Sequence, residues 1–246
     1  MIYTRKLKAY LGKLALRVVA VIIALVMYFT NKDMMLSFLS EERFYRFSIL
    51  HVLWGIFMFI MILHLFPSKL RSMALLKSKE VHYVPTEHSE FELLRFVQDQ
   101  NRKAWKVMLV WLFFNAFWAF LYLTGVISEA ELLLLTILYF LSDYICILFY
   151  CPFQSNIMHN KCCVNCRIYD WGHFMMFTPM LFIKNFYSWS LFFTSLVVLI
   201  RWELVYAKYP ERFWENSNKT LQCRNCQDKT CQFKEKLAGR PSKASL

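Results

Sequence analysis

The amino-acid sequence predicts an all-α integral membrane protein of four or five transmembrane helices with a cysteine-rich polar face, and three observations lead there. Of its 246 residues, 58% are hydrophobic and 18% aromatic, against roughly 45–50% apolar in ordinary soluble domains. The excess is gathered into blocks nearly free of charge, each long enough to cross a hydrocarbon core about 30 Å thick. None of the blocks alternates apolar with polar residues, so they are helices and not barrel strands, because lipid offers no partner to free backbone groups. Third, 29 Lys and Arg against 17 Asp and Glu give a net charge of +12, and the basic residues concentrate at the flanks of the blocks and in the tail. There they set orientation and meet anionic headgroups. With no basic-aromatic platform or reading helix, nucleic acid is not an expected partner; the lipid bilayer is.

The expected spans cover 14–30, 47–66, 104–123, 132–150 and 174–206, with a cysteine-rich loop at 151–173 and a basic, cysteine-containing tail at 207–246. The first follows Arg5, Lys6, Lys8 and Lys13 and lacks a small-residue cleavage site, so it reads as a retained helix whose Arg17 snorkels to the interface. The second stops at Pro67 and contains His51 and His64. Before the third span, Ser89 and Glu92 stand at capping-box spacing, which predicts a surface helix running straight into the membrane. The turn "TGVISEAE" joins spans three and four into a hairpin. The terminal "LAGRPSKASL" reads as disorder.

The segment 174–206 is too long for one ordinary span and too short for two. It holds Pro179, Lys184 and Asn185 in its first third. A single crossing would put the basic tail, with Lys208, Arg212, Lys219, Arg224 and Lys229, on the side opposite the other basic segments. A re-entrant hairpin bent at Pro179 or at Lys184–Asn185, with one leg buried against the other spans, would keep everything basic in the cytoplasm. The uninterrupted stretch "SWSLFFTSLVVLI" favours the single crossing; the charge distribution favours the hairpin.

Seven of the eight cysteines fall in "CPFQSNIMHNKCCVNC" and "CRNCQDKTC"; the eighth, Cys146, is expected to pack inside the fourth span. Cys163/Cys166 and Cys223/Cys226 are C-x2-C pairs, the spacing at which successive thiolates grip one metal ion, and a four-thiolate site needs two such turns. Cys162 and Cys231 are the expected additional ligands, with zinc or an iron–sulfur cluster as cofactor. His159 and His173 are candidate substitutes. A shared site requires both cysteine segments on one side of the membrane, cytoplasmic by this reading, which again favours the hairpin. The sequon Asn218-Lys219-Thr220 matters only if the tail is lumenal.

Among polar residues inside spans, Asp143 is the candidate catalytic residue, for a proton or substrate path, with Lys184, Arg201, His51 or His64 as expected partners. His51 and His64 lie about 220° apart around their helix, so they do not share a face. Trp105, Trp111 and Trp118 form a stripe of the kind used for the lipid belt and packing. The segment "KCCVNCRIYDWGHFMMFTP" has the look of one functional unit. Common soluble catalytic motifs are missing. The function expected is therefore a membrane-embedded, redox-linked metal-binding protein with a redox or protein partner at its cytoplasmic face. The alternatives are a thiol–disulfide oxidoreductase of the membrane and a non-enzymatic anchor or assembly factor with structural zinc.

Overall fold

The computed structural model describes residues 5–37, 49–66, 72–160, 162–226, 228 and 230–237. Among these the chain is helical without strands: α1 (Arg5–Thr30), α2 (Lys32–Ser37), α3 (Ile49–Leu65), α4 (Met73–Leu76), α5 (Glu90–Leu123), α6 (Glu129–Leu148), α7 (Gly172–Phe177), α8 (Phe186–Lys208) and α9 (Thr230–Leu237). Four helices, α1, α5, α6 and α8, are long and apolar enough to cross a membrane, and α3 is a shorter apolar helix. Residues 38–48, between the first two expected spans, 67–71 and 238–246, which include nearly all of the terminal segment read as disorder, lie outside the described residues.

The helices are built inside out relative to a soluble bundle. On α5 the buried positions are Gln100, Ala104, Val107, Trp111, Asn115 and Ala119, spaced by three and four residues, while Phe113, Phe117 and Phe120 are exposed. Small and polar residues on the packed face let helices approach and hydrogen-bond where the hydrophobic effect offers little. The tryptophan stripe accordingly splits: Trp105 is exposed, whereas Trp111 is buried and donates to Thr178 Oγ1 at 3.2 Å.

α5 runs unbroken from the surface into its apolar half, as the sequence predicts, but the capping box expected at Ser89 is not formed. Both Ser89 and Glu92 are exposed, so water satisfies the first-turn N–H groups, and Glu90 and Glu92 complement the dipole without a cap bond. The box forms instead at the start of α6, where Glu131 Oε2 accepts from Ser128 N at 2.7 Å and Ser128 Oγ accepts from Ala130 N at 3.3 Å. Gly125, with φ of 75°, supplies the left-handed residue that ends α5 and completes the hairpin.

α1 and α6 are antiparallel. Lys32 pairs with Glu131 at 2.6 Å near one end, and Leu7 packs on Tyr144 and Leu148 near the other. α3 lies along α8, with Tyr187 Oη 2.8 Å from His51 Nε2 and Trp54 Nε1 donating to Ser190 Oγ at 2.8 Å. The α5–α6 turn and the start of α8 therefore sit at one end of the bundle. The first turns of α1, the end of α6, both cysteine segments and the described part of the tail sit at the other, called here the cysteine end.

Segment 174–206 is two legs, not one helix. After α7 a 3-10 turn, Thr178–Phe182, carries Pro179; the chain then breaks at 183–185, and Asn185 restarts it as α8 by accepting from Ser188 N at 2.7 Å. The legs fold back on each other: Trp171 Nε1 donates to Glu203 Oε1 at 2.8 Å, and Trp202 Nε1 to Arg167 O at 2.7 Å. Of the two expected hinges, Lys184–Asn185 makes the reversal, while Pro179 lies within the first leg, whose missing N–H a 3-10 turn tolerates at its start. That first leg is the covered one: Phe174, Met176, Phe177, Thr178, Met180 and Ile183 are all buried, most of them among Met61, Leu132, Leu191 and Val198.

Candidate functional site

Both C-x2-C pairs form the turns their spacing predicts, with Cys166 N bonded to Cys163 O and Cys226 N to Cys223 O, each at 3.2 Å. They lie at the same end of the bundle, and Cys162, Cys226 and Cys231 share a small apolar cluster with Val164 and Leu221. None of the eight cysteines is in a disulfide. Burial pushes the Cys162 thiol up to about 12 and the Cys166 thiol up to about 11, so both hold their protons at neutral pH, the reverse of a ready thiolate donor. Cys163 donates to Gln154 Oε1 at 3.3 Å and accepts from Lys234 Nζ at 3.4 Å, and Cys223 is exposed. Among the described residues, no three thiols come within 4.8 Å of one another. The segments are brought together; a four-thiolate cage is not assembled.

Asp143 faces the bundle, but its partner is none of those expected from the sequence. Arg17 Nη1 lies 2.9 Å from Asp143 Oδ2 and also donates to Phe140 O. Its guanidinium carbon sits 3.9 Å over each of the Phe140 and Tyr144 rings. Arg17 is therefore turned onto α6, where a carboxylate and two aromatic faces compensate its charge, a role that the sequence reading left to interfacial water. Asp143 Oδ1 reaches the segment Asp170-Trp171-Gly172-His173, where a Cβ on Gly172 would stand 3.0 Å from it.

That four-residue segment holds the convergence the cysteines lack. Asp170 and His173, three residues apart across the start of α7, present their side chains on one side, and the end of α3 brings His64 to meet them. His64 Nδ1 lies 2.6 Å from Asp170 Oδ1, the His64 and His173 rings are 4.5 Å apart between centroids at 77°, and one ligand atom from each of the three falls within 4.8 Å of the others. Asp170 is only 4% exposed. Burial pushes its carboxyl pKa up, although His64, Arg201 and Lys77 all pull it down. A carboxylate that remains under-compensated beside two imidazoles is a place where a divalent cation is favoured.

Neighbouring contacts hold the segment rigid. Arg167 pairs with Glu203, which also accepts from Trp171, and Arg167 Nη1 donates to Gln100 O at 3.2 Å. Lys77, 1% exposed, donates to Val164 O at 2.8 Å and Cys166 O at 2.6 Å. The sequence flagged His64 as a polar residue in a span and His173 as a substitute ligand, but not Asp170; the i, i+3 placement of Asp170 and His173 was the available signal. The sequon is structural here: Asn218 is fully buried, accepting from Thr220 N at 3.1 Å and donating to Arg212 O at 2.9 Å.

The fold and site together define a multi-helix, membrane-compatible protein with a cluster of two half-buried histidines around a buried aspartate. Comparison with protein families, with curated proteins and with solved structures finds no match for this chain.

Proposed function

We propose that this chain is a membrane-embedded metal-binding protein whose ion is held by His64, Asp170 and His173 at the cytoplasmic end of the bundle. The observation that carries this reading is the mutual approach of three metal-capable ligand atoms to within 4.8 Å around a buried carboxylate. Two imidazoles and a carboxylate are the donor set of zinc sites with an open position and of mononuclear iron sites. Such an ion would supply Lewis-acid or redox chemistry at its open positions. Asp170 serves either as a direct ligand or by fixing His64 through Nδ1 so that Nε2 points at the ion. The exposed apolar faces of α1, α5 and α8 support placement in a bilayer. The gathering of basic residues at the cysteine end, against Glu129 and Glu131 at the other, supports a cytoplasmic cysteine end.

A second reading keeps the metal at the thiols, and the two preformed C-x2-C turns at the same end favour it. Elemental analysis of the protein purified in detergent separates the two. By the first reading, stoichiometric zinc or iron is lost in His64→Ala and His173→Ala and retained in Cys163→Ser and Cys226→Ser. The opposite pattern assigns the ion to the thiols. A metal-free protein that gives no d–d absorbance on titration with cobalt would refute both.

A further inference from the structure

A cleft of about 620 Å³ opens between α5 and the π-helical turn Phe153–Met158 at the cysteine end. Along α5 its lining passes from Arg102, Lys103 and Lys106 to the apolar Leu109 and Val110, and the facing turn contributes Asn156, Ile157 and His159. The change falls where α5 itself changes: the last cation is Lys106, and from Val107 to Leu123 the helix carries no charge. A cleft that crosses this boundary has the polarity profile of a phospholipid, anionic head above and acyl chain below.

The charge is of one sign but partly offset. Asp99 lies 2.5 Å from Lys103 Nζ and 3.3 Å from Arg102, so α5 presents two net positive charges here. His159, exposed and in the left-handed conformation with φ of 53°, closes the far side at the end of the π-helical turn.

We propose that this cleft binds an anionic phospholipid, its headgroup against Arg102, Lys103 and Lys106 and the first part of its acyl chains along Leu109, Val110 and Ile157. The inference rests on the bilayer placement proposed above and is independent of the metal site. Trp105 is a built-in reporter: it is 66% exposed and stands three residues after Arg102 and four before Leu109, on the same side of α5.

The experiment reads Trp105 emission, as the difference between the protein and its Trp105→Phe variant, in phosphatidylcholine nanodiscs. These contain equal fractions of either phosphatidylserine or phosphatidylcholine brominated near the top of its chains. Phosphatidylserine is expected to quench preferentially. One cation near an anionic lipid surface is worth about a fivefold preference. Lys106→Gln should therefore lower the preference about fivefold, and Asp99→Asn, which removes the offsetting charge, should raise it by a similar factor. Equal quenching by the two lipids, or a preference unmoved by both substitutions, overturns the proposal. Displacement by inorganic phosphate, at an ionic strength where chloride has no effect, also overturns it by making the cleft a soluble-anion site. A protein that enters the nanodisc without lipid preference refutes this inference alone; one that does not enter refutes the bilayer reading with it.

Discussion

Replacing Arg17 by Met keeps most of its volume and removes its charge, which isolates the pair with Asp143. At 2.9 Å between Nη1 and Oδ2 the charge centres are about 4 Å apart, and their attraction is about 4 kcal/mol at an effective dielectric of about 20. Desolvation opposes it, and the two aromatic faces each add about 0.5–1 kcal/mol. Removing one partner of a buried pair costs about 3–5 kcal/mol, because the other charge is stranded. The Asp143 side chain is 35% exposed and that of Arg17 14%, so solvent screening argues for less, about 2–3 kcal/mol. The assay is a double-mutant cycle with Arg17→Met and Asp143→Leu, followed by reversible unfolding in mixed micelles. The single variants should each lose about 2–3 kcal/mol and the double variant should recover at least about half of the summed loss. Strict additivity, or an Arg17→Met cost under about 0.5 kcal/mol, would refute an ion pair that holds α1 to α6.

Three further outcomes follow from particular contacts. Gly172→Ala places a methyl 3.0 Å from Asp143 Oδ1 and should cost about 1–3 kcal/mol in the same unfolding assay, a cost that shrinks in an Asp143→Ala background; an equal cost in both backgrounds would mean the clash is not with Asp143. Burial lowers the Lys77 pKa from 10.5 to about 8, so between those values the unfolded chain holds a proton that the folded chain does not, and stability relative to Lys77→Met should rise with pH. The rise should total about 3 kcal/mol, with the full penalty present below pH 8; a difference flat from pH 7.5 to 10 would show Lys77 not to be buried. Finally, Cys223 should react with a maleimide in folded protein long before Cys162 and Cys166, which are buried and held protonated. Comparable rates, read by mass spectrometry of digested peptides, would contradict that burial.

Much of the helix plan was legible because charge-free blocks of spanning length have few other uses. The hairpin in 174–206 was legible for a different reason: Lys184 and Asn185 interrupt an apolar run, and Asn is a strong helix N-cap. What sequence could not give was which helices touch. Arg17 read as an interfacial residue because its partner, Asp143, is 126 positions away, and nothing local distinguishes a snorkelling arginine from a paired one. The cysteines drew attention because C-x2-C is a local pattern whose turns form as expected. His64, Asp170 and His173 went unassembled because their meeting depends on α3 reaching the start of α7, a tertiary fact. Ser89–Glu92 and Ser128–Glu131 carry the same spacing, yet only the second forms a capping box, because only there is the helix start partly shielded from water.

The Arg17–Asp143 pair also constrains how the chain is made. In the proposed bilayer placement α1 would be inserted before α6 is made, so Arg17 would enter without its carboxylate, at a cost on insertion scales of about 2.5–3.5 kcal/mol. The rest of α1, with a mean hydropathy of 2.1 over its best window, is apolar enough to bear that cost for a time. Until α6 arrived, α1 would be the least settled span in that placement, free to shift vertically so that Arg17 finds water, and pairing with Asp143 would then fix its depth. Lys234, which donates to Cys146 O at 2.6 Å at the end of α6, can latch only after α8 and the segment that follows it have been made. Quality control that surveys unpaired charge within the membrane would therefore see α1 as the exposed element of any chain truncated before Asp143.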